Sequence, residues 1–550
     1  MLKRLIFFLP AVLAAIGLAC VADISASEKL AKEQILNIAF DAGDLQTLDP
    51  HRAATTQDRS TVDPIFNGLI RYTPGNQAQA EPDLAESWTA SADNKVWTFQ
   101  LRKGVHFHPF PGHPQGYELT SEDVVYSFQR AANPDTSSYA GEYSGTIFEA
   151  DGPYQVRITL EKPMSETLFL AKVANYAGGF IVPKKAIEAQ GNDWFKLNPV
   201  GTGPFAFKSY EPRQKVVLIA NDTYFRAKPH LREVVIRYMP SVSSRELGLQ
   251  SGELQIIEGL KEDKWLEKVA TFPDVVIKPF GPCETQVLFF NLGSEPFNDI
   301  RVRKAFSYAI NREEVAAFMG KGLAVPIYAP TLAPPAPGAL TKAEAEKAGV
   351  VYENNIAEAK RLLAEAGYDK GLKFEAIVSE MESSYRKPMI AVQAQVRKAG
   401  IDMQLKVVDH SAFHGLIRQD ASPIVYYASW RPDVNVYLTR FFHSDSVVVN
   451  GKKPDTNFSH YGLVDANGDG TVDSVDALTE QARWELDAPK QIAMWKEAQV
   501  KILQDVAAVP IIRLMYAFPM KSNVDLGYDL EFSWQTYSPQ INEKTRLLAH

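Results

Sequence analysis

The twelve-residue stretch from Asp465 to Asp476 places oxygen-bearing side chains at a spacing that metal chemistry uses. Asp465, Asn467, Asp469, Asp473 and Asp476 occupy positions 1, 3, 5, 9 and 12, with Gly470 at position 6 and Val472 at position 8. Ca2+ is a hard cation that takes about six to eight oxygens, and this spacing wraps such donors around one point. Thr471 would add its backbone carbonyl at position 7. Asp rather than Glu at position 12 reaches less far. The competing reading is a polar Asp/Asn/Gly turn. Calcium here would be structural, because the loop runs directly into a helix expected near Val475, with Leu478, Ala482 and Leu486 on one face.

Other constellations offer less. His106, His108 and His113 lie close together but among prolines 109, 111 and 114. His410 and His414 are spaced i, i+4 on an expected helix, without a nearby third ligand. The chain contains no HExxH, GxSxG or GxxxxGK[ST] pattern, which argues against zincin, α/β-hydrolase and P-loop chemistry. Cys283 has no visible partner and reads as a small buried hydrophobe.

The elements that must position such residues alternate between strand and helix. Val96–Leu101 alternates apolar and polar residues as a half-buried strand does. Thr120, with Asp123 in capping-box position, starts a helix whose apolar face is Val124, Val125 and Phe128. Asp299 caps another helix, with Val302, Phe306, Ala309 and Ile310 on one side. Ile356, Ala359, Leu363 and Ala366 mark a third, which stops at Gly367. A fourth ends at Gly400 and leads into a strand with Met403, Leu405 and Val407 facing one way. Repeated helix, glycine stop and strand indicate an α/β fold. The proline-rich stretch 329–338 is expected to be a rigid linker or surface loop.

The 550-residue chain has 45% hydrophobic and 23% charged residues and a formal net charge of -8. That length allows about three or four domain-sized units, and the mixed charge favours neither nucleic acid nor an anionic membrane surface. Lys3 and Arg4 precede an apolar run from Leu5 to Ala19, which fits a signal peptide and is short for a membrane span. Cleavage is expected either after residue 26 or, if Gly17-Leu18-Ala19-Cys20 acts as a lipobox, after residue 19 with Cys20 as the lipid tether.

Segments spread over the chain carry a resemblance. Leu48-Asp49-Pro50-His51, Phe66-Asn67-Gly68-Leu69, Pro82-Asp83-Leu84-Ala85-Glu86-Ser87-Trp88 and Leu101-Arg102-Lys103-Gly104-Val105 come first, with Phe107-His108 beside them. Leu119-Thr120-Ser121-Glu122-Asp123-Val124, Gly201-Thr202-Gly203-Pro204-Phe205 and, after Asn291, the run from Pro296 to Ala305 follow in order. Together they resemble the family 5 extracellular solute-binding proteins, the peptide, nickel and opine receptors of bacterial ABC importers. The resemblance implies a two-lobed periplasmic-binding-protein fold with a hinge and an extra domain inserted in the N-terminal lobe. The expected division is 27–70, 197–283 and 511–550 for the first lobe, 71–196 for the insert, and 284–510 for the second lobe. The segments themselves read mostly as scaffold.

The resemblance also points to Ser429-Trp430-Arg431-Pro432-Asp433. Peptide-binding members carry a W-x-x-D segment in the cleft, whose Asp pairs with the ligand's α-ammonium. Asp433 stands three residues after Trp430; Val434-Asn435-Val436-Tyr437 follows, where peptide receptors often have an aromatic and a later Asp/Glu-Pro. A buried carboxylate needs a cation, and a ligand ammonium would supply one. Trp430 would form an apolar wall, with Arg431 and Tyr437 as further contacts. Alternatively Asp433 pairs with Arg431 or caps a helix. The expectation is a monomeric, non-enzymatic receptor in the periplasm, or on the outer face of the membrane if lipidated. It would capture di- or oligopeptides for a permease and ATPase complex. The alternatives are a receptor for a nickel chelate, opine or other amine-bearing molecule, an exported hydrolase, and a sensing or chaperone-like protein.

Overall fold

A computed structural model describes residues 29–549 apart from 76–79, 144, 175–178, 282–283, 321, 333–335, 432, 453 and 534–536. The leader segment, Cys20 and Cys283 lie outside the described residues.

Two main sheets organise the chain. The first has seven strands, in the order Val275–Val276, Met520–Lys521, Ile256–Ile257, Ile35–Phe40, Glu233–Tyr238, Lys215–Ala220 and Phe205–Glu211. Ile35–Phe40 lies parallel to both of its neighbours. The second has the order Ala324–Pro326, Ala508–Leu514, Thr285–Phe290 and Ile424–Ser429, all antiparallel. Its strand Thr285–Phe290 is buried at every position, which is why its sequence reads as an unbroken run rather than an alternation. A parallel pair, Leu372–Ser379 with Ile401–Val408, packs beside this sheet. The two sheets build the two α/β lobes.

A four-stranded antiparallel sheet, Ala85–Ala90, Val96–Leu101, Gln155–Thr159 and Ile147–Ala150, forms the insert. Its Trp97 and Phe99 belong to the same buried cluster as Leu36 and Ile38 of the first sheet. The insert and the first lobe therefore share one core. The second lobe has its own core, into which Leu168 of the insert's helix Glu166–Val173 also packs. Two expected boundaries fall inside strands. Ile70–Tyr72 pairs across the 70/71 division, and Ala508–Leu514 pairs with Thr285–Phe290 across 510/511. Ladder hydrogen bonds hold such a strand in one sheet along its length, so the return to the first lobe comes after Leu514.

The local signals read from the sequence have counterparts. Thr120 and Asp123 close a capping box on Ser121–Ala131. Asp299 accepts from the Arg301 amide at the start of Ile300–Tyr308, and Gly367 and Gly400 follow helices at positive φ.

The family-like segments act as joints. Arg130 donates to Asp49 Oδ1 at 3.1 Å and Oδ2 at 2.5 Å, and to His51 Nδ1 at 2.9 Å. Both charged partners are buried. Asp83 accepts from Asn67 Nδ2 and from Arg226 at 3.0–3.1 Å. Gly203 donates its amide to Ile65 O at 2.8 Å, and a Cβ at Gly201 would stand 2.0 Å from that oxygen, so only glycine permits the approach. Arg303, fully buried, donates to the carbonyls of Phe297 and Asp505 and to that of Ala466, which ties the acidic loop to the second lobe.

Removing one partner of a buried, hydrogen-bonded ion pair leaves an uncompensated charge, at about 3–5 kcal/mol. Asp49→Ala should lower unfolding free energy in urea by that amount, and a loss under 1 kcal/mol would show the Arg130 pair to be dispensable.

Candidate functional site

Between the lobes the chain crosses on two segments that run side by side. Phe280 N donates to Tyr516 O at 2.9 Å and Tyr516 N to Phe280 O at 2.8 Å. Half-buried charges gather at this crossing. Lys261 Nζ lies 3.6 Å from the centroid of the Tyr516 ring, and burial pulls its pKa down, opposed by Glu284 and Glu258. Burial pushes the Glu284 carboxyl up, opposed by Lys261. Neither side chain has an ion-pair partner within 4.0 Å among the described residues.

Asp433 sits where the strand Ile424–Ser429 turns into the helix Val434–Phe442. Its extended backbone (φ -151°, ψ 169°) is that of an N-cap, and its carboxylate accepts from Val436 N at 2.7 Å. This position fixes the side chain, because an N-cap oxygen must face the first turn. Burial pushes its carboxyl up to about 6, against the pull of the Val436 and Asn435 amides; Glu142 adds to the rise and Arg483 opposes it. No Lys, Arg or His stands within 4.0 Å of it among the described residues. The carboxylate therefore caps its helix and is still short of a counter-charge.

Asp433 lines a cavity of about 300 Å³, together with Asn435, Val436 and Thr439 of its own helix. Arg431 and Tyr437, with Asp433, line a much smaller void of about 20 Å³. Arg431 is not the partner of Asp433. Its guanidinium lies 4.9 Å from the centroid of the Phe441 ring and donates to Trp430 O at 2.5 Å. Burial lowers its pKa, and Arg440 lowers it further. Tyr437, buried, accepts from Thr285 Oγ1 at 3.2 Å. Trp430 packs against the second-lobe core and lines neither space. Sequence reasoning missed Glu142, Lys172, Arg483, Lys261 and Glu284. No motif marks them, since each reaches the site through packing between distant segments.

The acidic loop is folded on itself. Asp465 accepts the amides of Gly468, Asp469 and Gly470. Asp473 accepts those of Ala466 and Asn467, along with Asn467 Nδ2. Asp469 accepts from Thr471, and Asp476 from the Ser444 amide at 3.1 Å. Among the described residues no group of three or more His, Cys, Asp or Glu side chains is gathered closely enough to hold a metal ion. As arranged, the donor set does not fit Ca2+. The helix following it, Asp476–Trp484, starts where the sequence placed it. His108 is buried, contacts the carbonyl of Gly203 and is held near 4 by burial, while His113 stacks on Phe110. His410 and His414 approach each other at 3.2 Å.

Comparisons with known proteins agree on one group. The family model described as "Bacterial extracellular solute-binding proteins, family 5 Middle" matches residues 79–447, more than half of the chain. The dipeptide-binding protein of Escherichia coli K12 is 28% identical over 514 residues, which is 86% of this chain and 88% of that protein. The periplasmic binding protein MoaA from A. tumefaciens R10, solved with mannopinic acid, is 36% identical with a TM-score of 0.70, covering 94% of this chain and 100% of the other. The periplasmic binding protein DppA from Helicobacter pylori, solved with the peptide STSA, is 25% identical with a TM-score of 0.68, covering 95% and 99%.

A carboxyl raised from 3.8 to about 6 favours the protonated native state, so wild-type stability should fall as pH rises from about 4 through 6. Asn also caps a helix well. Asp433→Asn should therefore abolish that slope and raise stability at pH 7 by up to roughly 3 kcal/mol. A pH profile of unfolding that is the same for both proteins would contradict the assigned environment.

Proposed function

The chain belongs to the family 5 bacterial extracellular solute-binding proteins, and from that premise we propose that it captures di- or oligopeptides between its lobes for an ABC importer. The single observation that supports this reading is the half-buried Asp433 carboxylate, which lines a cavity and has no Lys, Arg or His within 4.0 Å among the described residues. A ligand α-ammonium would supply the missing charge, and charge-assisted hydrogen bonds of this kind are among the stronger ones. Members of the family named above are binding proteins, and the chain is read as a receptor rather than an enzyme. Its partners would be the permease and ATPase of the importer, and its compartment the periplasm. Among the described residues no helix is long and apolar enough to cross a membrane.

A second ligand reading, an opine or another acid bearing an amine, has its own support. Arg431 and Lys261 are half-buried cations without carboxylate partners within 4.0 Å among the described residues, and an anionic ligand group would relieve either of them. The 36% identical relative solved with mannopinic acid points the same way. Hinge closure couples capture to conformation in either case.

The loop Asp465–Asp476 is proposed to take Ca2+ only by exchange. Its carboxylates would give up the amides of Gly468, Gly470, Ala466 and Ser444 for the metal. The sequence spacing supports such a site, and the present hydrogen bonds oppose it.

Thermal unfolding against a panel of di- to pentapeptides and mannopinic acid decides between the ligands. At 100 times its dissociation constant a ligand stabilises the fold by about 2.7 kcal/mol. Peptides should raise Tm in wild type and not in Asp433→Asn, whereas a response to mannopinic acid alone would select the second reading. Excess chelator should lower Tm if the loop holds calcium, and an unchanged curve would reduce it to a turn.

A further inference from the structure

The helix His410–Arg418 turns its apolar side, Phe413 and Ile417, into the second-lobe core. His410 and His414 stand one turn apart on its flank, both half-buried. Side chains at i and i+4 lie one above the other on a helix. Here the two rings meet through their Nε2 atoms, 3.2 Å apart. Buried aromatic rings hold them in place, with Tyr385 centred 5.6 Å from the His410 ring and Tyr427 centred 5.8 Å from that of His414. Neither histidine lines the cavity beside Asp433 or the void next to Arg431.

The separation of the two nitrogens suits a metal ion. Two nitrogens each 2.0–2.1 Å from a tetrahedral metal stand roughly 3.3 Å apart. A ligating histidine also donates its other ring N–H to a fixed acceptor. His410 has one, since its Nδ1 lies 2.9 Å from Oγ of Ser379, a fully buried residue that ends the strand Leu372–Ser379. That oxygen accepts the Met381 amide at 3.2 Å, and a hydroxyl oxygen has a second lone pair for the ring. With Nδ1–H donated to Ser379, His410 presents a bare Nε2. His414 is placed differently. Arg418 Nη1 reaches its Nδ1 at 3.3 Å, so without metal His414 keeps its proton on Nε2 and donates it across the gap to His410. Arg418 has two other partners, His414 O at 2.9 Å and Asp455 at 3.5 Å, and it can release the ring when a cation arrives. Burial lowers the pKa of His414, and His410 and Arg418 lower it further, which favours the neutral ring that metals bind.

We infer that His410 and His414 form a chelating site for a transition-metal ion, Cu2+ before Ni2+ and Zn2+. The metal would replace one N–H···N hydrogen bond with two coordinate bonds, leaving its other positions to water or a small chelating solute. It would tie the start of the helix to Ser379 and, through Met381, to the turn Glu382–Arg386. The site depends on no contact with a captured solute, so it stands or falls apart from the receptor reading.

Cu2+ titrated into the chelator-stripped, full mature chain tests this, read by calorimetry and electron paramagnetic resonance. Wild type should take up one Cu2+ whose spectrum carries hyperfine structure from two imidazole nitrogens. His410→Gln and His414→Gln should each lose that signal while keeping the wild-type melting curve in chelator. Ser379→Ala should weaken Cu2+ by about ten-fold through the His410 ring. Arg418→Gln should tighten it, because no cation then competes for His414 Nδ1, a sign that a merely structural arginine would not give. A spectrum with one nitrogen, or uptake that persists in both histidine variants, overturns the assignment and leaves an adventitious ion elsewhere on the chain. Wild type that takes up no Cu2+ in excess overturns it too, and the pair is then only a hydrogen bond.

Discussion

The reciprocal main-chain hydrogen bonds between Phe280 and Tyr516 are the constraint on which the rest of this molecule turns. They fix where the two sheets separate, one finishing at Val275–Val276 and Met520–Lys521, the other opening at Thr285 and closing at Leu514. The two extended segments join the lobes through these hydrogen bonds. The same crossing brings Lys261 and Glu284 together. Charges this buried are tolerated when a partner is near, and a solute or lobe closure changes how well they are partnered.

Buried charges in this protein fall into two kinds. Asp49 with Arg130, and Asp83 with Asn67 and Arg226, are satisfied by several hydrogen bonds each, and they weld segments far apart in sequence. Arg303 does the same with carbonyls alone. Asp433 and Lys172 are different. Each is desolvated and each lacks an opposite charge at contact distance among the described residues, yet both line a cavity. An unmet electrostatic need beside open volume is the feature that the proposed binding role rests on.

The insert gains significance from that contrast. It shares a core with the first lobe but reaches the second through Ser165, Leu168 and Lys162. The cavity beside Asp433 is thus walled by residues of the insert and of the second lobe. The acidic loop leads into the same arrangement through the helix Asp476–Trp484. Its last residue, Asp476, begins the helix that carries Arg483, and Arg303 anchors its Ala466 carbonyl.

The sequence by itself determined what depends on neighbours along the chain. Capping at Thr120 and Asp299, the stops at Gly367 and Gly400, the strand Val96–Leu101 and the helix after Asp476 follow from side chains acting within a few residues. The joint segments were also legible, because each is a short string of recognisable residues. Tertiary structure alone decided the rest. Composition does not record which ladder a strand joins, so the divisions at 70/71 and 510/511 cut through Ile70–Tyr72 and Ala508–Leu514. The oxygen spacing of Asp465–Asp476 permits convergence on a cation, but the amides nearby compete for the same carboxylates. Lys172 and Arg483 lie some three hundred residues apart on unremarkable helices, and only packing of the insert against the second lobe sets them on one cavity. Local order is written in adjacent residues, whereas a binding wall depends on which distant surfaces the folded chain brings into contact.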